Sequence, residues 1–309
     1  MTVAVAGTGS IGIAFALVFA RAGVEVRCWD PMPGAADRAR ADLETRVTSL
    51  HGHGLVEDAE GVFARVAFVE DLAAAVDGVA LVQECAPEDL AVKRALYADL
   101  GDLTGADTVL ASSSSAMTAS RIGDGLQAAD RILVGHPANP PYLLPVVEVV
   151  PSPATRADIV DRAISTYAGA GLHPVRLARE VEGFVFNRLQ GAVLREAYCL
   201  VRDGVASVAD IDAVMRLGLG RRWGVVGPFE TVDLNTRGGI GTHAGRMGPA
   251  YARMGAERGQ DDPWTDDLVA EVERQRREQM PLDEWDQRVL WRDERLMELM
   301  AREREGTTR

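Results

Sequence analysis

The chain has 309 residues, 47% hydrophobic and 26% charged, an ordinary composition for a globular protein, and its length suggests about two domains, each able to bury a core. A formal net charge of −13 repels nucleic-acid phosphates and anionic lipid, so neither is expected as a general partner. Cys28, Cys85 and Cys199 are far apart with no CxxC, which argues against a disulfide framework and a metal site; with no apolar window near the roughly 20 residues of a membrane span and a first strand starting at Thr2, a cytoplasmic location without a leader peptide is expected.

Residues 2–6 read as a short buried parallel strand. Gly7-Thr-Gly-Ser-Ile-Gly12 follows, then a helix over 13–22, then a strand over 24–30 that ends on Asp30. A GxGxxG alone is a weak signal. This one follows a strand, opens a helix and has an acid 18 residues after its third glycine, the context that a dinucleotide fingerprint requires. Gly7 permits the tight turn, Gly9 lets the backbone approach a pyrophosphate, and Gly12 lets the helix pack close to the strand. The free N–H groups around Ser10 and Ile11 face the anion. Asp30 suits a ribose diol and repels a 2′-phosphate, so the expected cofactor is NAD rather than NADP.

Residues 34–50 read as an exposed helix, 66–69 as a strand and 79–86 as a stronger strand, with Pro87 and Glu88 opening the next helix. Glu88 and Lys93 lie near the carboxyl end of that strand, where open α/β sheets bind ligands. By themselves they read as a helix-start charge and a surface lysine. Residues 108–115 read as a strand running into four serines, which either supply hydroxyls to a ligand or cap the next helix. A strand over 131–136 delivers His136 to the same edge of the sheet. It opens Gly135-His-Pro-Ala-Asn-Pro-Pro-Tyr142, whose prolines stiffen the backbone. Two readings fit His136 at this point: a buried core histidine beside a proline turn, or a general base with Glu148 to orient it.

A strand over 146–150, a helix over 153–169 and a strand over 173–178 complete this part. From Gly183 onward the pattern is helical, with helices over 184–201, after Ser207, and over 231–254, 264–279 and 285–305, interrupted by a glycine-punctuated bend over 218–227. The expected fold is therefore α/β, a Rossmann-like doubly wound sheet over 1–182 followed by an all-α C-terminal domain over 183–309. Surplus apolar helix faces in the second domain suggest self-association, with a monomeric bundle as the other reading.

Five segments carry a resemblance: Gln83-Glu-Cys-Ala-Pro-Glu88, Ala111-Ser-Ser-Ser-Ser115, Gly135–Tyr142, Gly183-Phe-Val-Phe-Asn-Arg-Leu189, and Gly218-Leu-Gly-Arg-Arg-Trp223 with Gly227-Pro-Phe-Glu-Thr231. Together they resemble the 3-hydroxyacyl-CoA dehydrogenase superfamily over nearly the whole chain. The Asn139-Pro-Pro-Tyr142 form, Ser113 and Trp291-Arg-Asp-Glu294 resemble its lambda-crystallin branch, the L-gulonate 3-dehydrogenases.

The resemblance implies that His136 and Glu148 are the catalytic pair. It also implies that Ser115 and Asn187 hold the substrate oxygen, that Glu88, Lys93 and Asn139 contact the cofactor, and that the chain forms a homodimer through its second domain. The implied reaction is NAD-dependent oxidation of the 3-hydroxyl of a small polar hydroxy acid. L-gulonate is the first candidate, with L-carnitine, 3-hydroxybutyrate or a short 3-hydroxyacyl-CoA as alternatives, and a non-enzymatic crystallin-like NAD-binding protein as the remaining reading. A substrate carboxylate needs a cation. Arg222 is the candidate, against the reading of Arg221 and Arg222 as salt-bridge residues.

Overall fold

The computed structural model describes residues 1–260, 265–289 and 291, and they fall into two compact units, 1–194 and 195–309. The first unit runs β1 (Thr2–Ala6), α1 (Ser10–Arg21), β2 (Glu25–Trp29), α2 (Ala35–Gly52), α3 (Ala59–Ala64), β3 (Val66–Phe68), α4 (Leu72–Val76), β4 (Leu81–Glu84), α5 (Leu90–Leu103), β5 (Val109–Ser112), α6 (Ala119–Gly123), β6 (Ile132–Pro137), β7 (Val146–Pro151), α7 (Ala157–Gly169), β8 (His173–Arg176) and the start of α8 (Phe186–Arg202).

The strands form one sheet in the order β3-β2-β1-β4-β5-β6-β7-β8. The order reverses between β1 and β4, as a doubly wound sheet requires. All neighbouring pairs are parallel except β6 and β7. Those two are antiparallel because residues 138–145 connect them, far fewer than the dozen or so that a crossover needs. The proline-rich stretch is thus a hairpin loop, and it brings His136 directly opposite Glu148 in the register.

Burial follows the two-residue period of the strands. Val3, Val5, Val26 and Leu133 pack on one face with α1, α2 and α7, whereas Ala4, Ala6, Val82, Ile132 and Val134 pack on the other with α5 and α6. Helix α1 is buried from Gly12 through Ala20, which explains its lack of a polar face. Phe15 and Phe19 of α1 pack against each other and against Tyr167 of α7 at 6.0–6.3 Å between ring centroids, each pair adding about 0.5–1.5 kcal/mol beyond its area.

Several boundaries differ from the sequence expectations. Helix α5 starts at Leu90, because the Asp89 side chain caps it by accepting from the Ala91 and Val92 N–H groups. Pro87 and Glu88 therefore lie in the preceding turn. Helix α7 starts at Ala157, after a turn that Thr155 and Ser152 hold by mutual hydrogen bonds. Helix α6 begins at a Thr118 cap rather than at one of the four serines. The short helices α3 and α4, each capped by an aspartate, carry too few periodic residues to stand out in the sequence.

The second unit contains the end of α8, α9 (Val208–Val214), a π turn at Met215–Leu219, α10 (Gly220–Trp223), α11 (Pro228–Asn235), α12 (Gly239–Glu257) and α13 (Asp266–Gln279), with no strand among its described residues. Ser207 caps α9 from the Asp210 N–H as expected. The expected helix over 231–254 is two helices, because the chain breaks at Gly238, where φ is +96°. Glycine punctuation at 218–227 makes a helical bend. The unit is tied together at Asp233, fully buried, which accepts from Ile240 N–H (2.8 Å), Arg276 Nε (3.2 Å) and Arg277. Of the helix expected over 285–305, residue 290 and residues 292–305 lie outside the described residues, as does Trp264. No described helix is long and apolar enough to cross a membrane.

Candidate active site

The carboxyl ends of β4, β5 and β6 place most of the expected residues along one edge of the first unit. At its centre, His136 Nδ1 and Glu148 Oε2 are 2.8 Å apart. The other oxygen of Glu148 accepts the backbone N–H groups of Val185 (2.7 Å) and Phe186 (3.0 Å). Burial pushes the Glu148 carboxyl up. The hydrogen bonds from His136, Phe186 and Val185 and the charge of His136 outweigh that effect and hold it below its usual value. An ionised carboxylate only accepts, so Nδ1 carries the hydrogen of this bond, and in the neutral form of the ring Nε2 is the nitrogen with the lone pair. No protein hydrogen bond reaches Nε2 among the described residues.

The two N–H groups come from a turn with positive φ at both Gly183 (+75°) and Phe184 (+50°). Phenylalanine rarely adopts this region, at a cost of order 1–3 kcal/mol. Its ring is fully buried and lies 5.4 Å from the imidazole, with Phe186 edge-on at 6.4 Å. The turn thus aims the first N–H groups of α8 at Glu148 and gives His136 an aromatic wall. One residue further on, Asn187 Nδ2 donates to the Ser115 carbonyl at 3.3 Å.

The four serines divide by role. Ser112 donates to Glu84 (2.6 Å), Ser113 accepts from Gln83 (2.8 Å), and Ser114 bonds Glu88 and the Met117 N–H. Of the four serines only Ser115 stands exposed, together with its neighbour Ala116. Lys93 is 1% exposed, with Nζ 2.7 Å from Glu84, 3.2 Å from the Ala86 carbonyl and 3.5 Å from Glu88. Lys93 is therefore the cation of a buried ion pair and not a surface lysine. Glu88 faces outward, and its carboxyl is held below its usual value. Burial raises it, but Ser114, Lys93 and the Ala116 N–H lower it more. Asn139 is exposed in the hairpin loop, next to a cis Asn139–Pro140 bond.

The glycine loop is built as its spacing requires. Gly7 has φ +101°, and a Cβ there would sit 2.7 Å from the Cys85 backbone. A Cβ on Gly12 would sit 1.9 Å from the Gly7 carbonyl oxygen. Gly9 faces open space, and no side chain caps the helix that begins there. The first N–H groups of α1, at Ser10, Ile11 and Gly12, are therefore presented to whatever occupies that space.

Residues 2–181 match the family model described as 3-hydroxyacyl-CoA dehydrogenase, NAD binding domain, and residues 183–281 match the one described as 3-hydroxyacyl-CoA dehydrogenase, C-terminal domain. The chain belongs to the 3-hydroxyacyl-CoA dehydrogenase family. Lambda-crystallin of Oryctolagus cuniculus is 35% identical over 98% of this chain and 96% of its own length. A lambda-crystallin homolog of Bos taurus is 40% identical, over 82% of this chain and 79% of the relative. An L-carnitine dehydrogenase of Streptomyces griseus is 40% identical, over 88% and 78%. Among solved structures, an NAD+-dependent dismutase, 5-formyl-3-hydroxy-2-methylpyridine 4-carboxylic acid 5-dehydrogenase, superposes with a TM-score of 0.74 at 28% identity, covering 90% of this chain and 95% of that one.

As a member of this family the protein is an NAD-dependent oxidoreductase acting on a CH–OH group. The residues fit the cofactor. Beside the glycine loop lies a cavity of about 290 Å3 lined by Thr8, Gly9, Ser10, Asp30, Arg38 and Asp42 among others. Asp30 is fixed there by the Thr8 N–H (2.8 Å), the Thr8 hydroxyl (3.1 Å) and the Met32 N–H (3.0 Å), with lone pairs left for a ribose diol.

No local pattern signals the paired N–H donors of Val185 and Phe186, Phe184 at positive φ, or the buried role of Gln83. Gln83 is fully buried and bonds both Ser113 and the Tyr167 hydroxyl (2.5 Å), beneath the Gly135 carbonyl. A buried glutamine at the end of an apolar strand is the one trace that was readable. Arg222 lies half-buried on α10 in the second unit, its carbonyl accepting the Val225 and Val226 N–H groups.

Proposed function

We propose that the protein oxidises the 3-hydroxyl of a small polar hydroxy acid, with L-gulonate as the first substrate to test. The observation that carries this reading is the His136–Glu148 pair. A buried, ionised carboxylate with two further backbone donors fixes one ring nitrogen and leaves the other able to take a proton. Bound NAD supplies the hydride acceptor. His136 Nε2 accepts the hydroxyl proton, and Glu148 stabilises the imidazolium that results. The Ser115 hydroxyl and the Asn187 amide hydrogen-bond the substrate oxygen and orient the carbon. In the reverse direction the same imidazolium polarises the carbonyl. Phe184 and Phe186 limit water beside the ring.

L-gulonate leads because the hairpin segment His136–Tyr142 and the lambda-crystallin relatives point to that branch. L-carnitine is the second reading, favoured by the Streptomyces griseus relative at 40% identity. Self-association through the helical unit belongs to the same proposal, supported by exposed Val205, Val208, Val214, Leu217 and Phe229. A monomer in light scattering would remove that part.

The test is NADH formation, followed by its absorbance, with L-gulonate, L-carnitine, 3-hydroxybutyrate and 3-hydroxybutyryl-CoA as separate substrates. The highest kcat/KM on L-gulonate supports the proposal. A higher value on L-carnitine moves the assignment to the second reading, and no oxidation of any small acid defeats both.

A further inference from the structure

The cavity beside Asp30 holds more charge than a ribose diol requires. Three charged side chains line it: Asp30, Arg38 and Asp42. Arg38 and Asp42 are four residues apart on α2, the spacing at which an arginine and an aspartate normally pair. Here they do not. Arg46, one turn further along, takes Asp42 at 2.7 Å and also reaches the Ser10 carbonyl (2.9 Å) and hydroxyl (3.0 Å). Arg38 is exposed, its guanidinium donates to the Pro33 carbonyl at 3.3 Å, and it has no carboxylate partner among the described residues. The uncompensated charges of the cavity are therefore one anion, Asp30, and one cation, Arg38.

The dinucleotide fingerprint brings the adenosine ribose to Asp30, so a substituent on its 2′ oxygen enters this cavity. A guanidinium is the side chain best matched to a phosphate there. We propose that Arg38 is a cofactor-discriminating residue: a cation suited to a 2′-phosphate, whose use is blocked by the single fixed carboxylate of Asp30. Preference for NAD then rests on one charge rather than on the shape of the site. The inference depends on the cofactor and not on which hydroxy acid is oxidised.

The test is binding of NADH and NADPH to the full chain, read by nucleotide fluorescence with no hydroxy acid present. Asp30→Asn keeps an oxygen for the Thr8 N–H while removing the charge. It is expected to move the ratio of the two dissociation constants toward NADPH by about 10- to 100-fold. Adding Arg38→Ala to that variant is expected to reverse most of the shift. An unchanged ratio in D30N, or an equal shift in D30N and in the double variant, overturns the proposal. If D30N does not fold, Asp30→Ser takes its place, with and without Arg38→Ala. The same shift toward NADPH, reversed by the second substitution and shrinking with added salt, is expected, and an equal ratio in the single and double variants overturns the proposal.

Discussion

Two buried carboxylates on the same sheet edge, Glu84 at the end of β4 and Glu148 in the β6–β7 hairpin, begin alike and end differently. Each is almost fully buried and each accepts from a basic side chain and from the backbone, Glu84 from the Ala86 N–H and Glu148 from the Val185 and Phe186 N–H groups. Glu84 meets Lys93, whose ammonium is itself surrounded by the Ala86 carbonyl and Glu88. That cluster is closed, with every hydrogen directed inward. Glu148 meets a ring with two nitrogens, and fixing one leaves the other available. A buried ion pair is therefore not evidence of catalysis by itself, since its desolvation offsets most of its attraction. What separates the two regions is whether the chain of hydrogen bonds ends inside the protein or at a free lone pair.

Breaking each region should give different losses. His136→Gln removes the proton acceptor and is expected to lower kcat by about 10²–10⁴-fold while NADH still binds. A kcat within a few-fold of the parent would exclude His136 as the base. Glu148→Gln keeps the shape but not the charge, and an amide can present its NH2 to the ring and reverse the tautomer; a fall in kcat of about 10²-fold is expected, with a smaller change in KM.

Lys93→Met leaves the Glu84 carboxylate buried without its cation. It should cost about 3–5 kcal/mol of stability in urea unfolding. Loss of NADH affinity with unfolding unchanged would instead make Lys93 a direct cofactor contact. Gly135→Ala places a Cβ 2.1 Å from the Tyr167 hydroxyl and forces it off Gln83. A loss of about 1–3 kcal/mol is expected, read as a lower Tm.

The smallest effect is on acid stability. The folded-state carboxyl of Glu148 lies below its ordinary value of 4.5, so the folded state binds the proton less readily than the unfolded one. The stability it confers is complete above that ordinary value and is lost as pH falls through the lowered one. The acid limb of stability against pH should be shallower in Glu148→Gln than in the parent. Identical slopes would show that Glu148 is not held down by its partners.

Much of the first unit was legible because its signals are local. The Gly7–Gly12 turn, the acid after β2 and the alternation of buried residues each depend on neighbours a few positions apart. The second unit was less legible. Helix α8 has no fully buried residue along its length, and the break at Gly238 separates two segments that share one apolar period. Lys93 read as a surface residue because its acceptor, Glu84, lies nine residues back on a different element.

By itself, the sequence determined the dinucleotide loop, the α/β-then-helical order and the identity of the residues at the sheet edge. These follow from short-range sterics, and from helix and strand periods that any window of the chain displays. Tertiary structure alone decided that the proline-rich stretch is a hairpin loop, that its register sets Glu148 directly opposite His136, and that two N–H groups some 37 residues further on, at Val185 and Phe186, complete that carboxylate. Which donors reach a buried acid depends on strand direction and on how the chain returns to the sheet, and no local pattern encodes either.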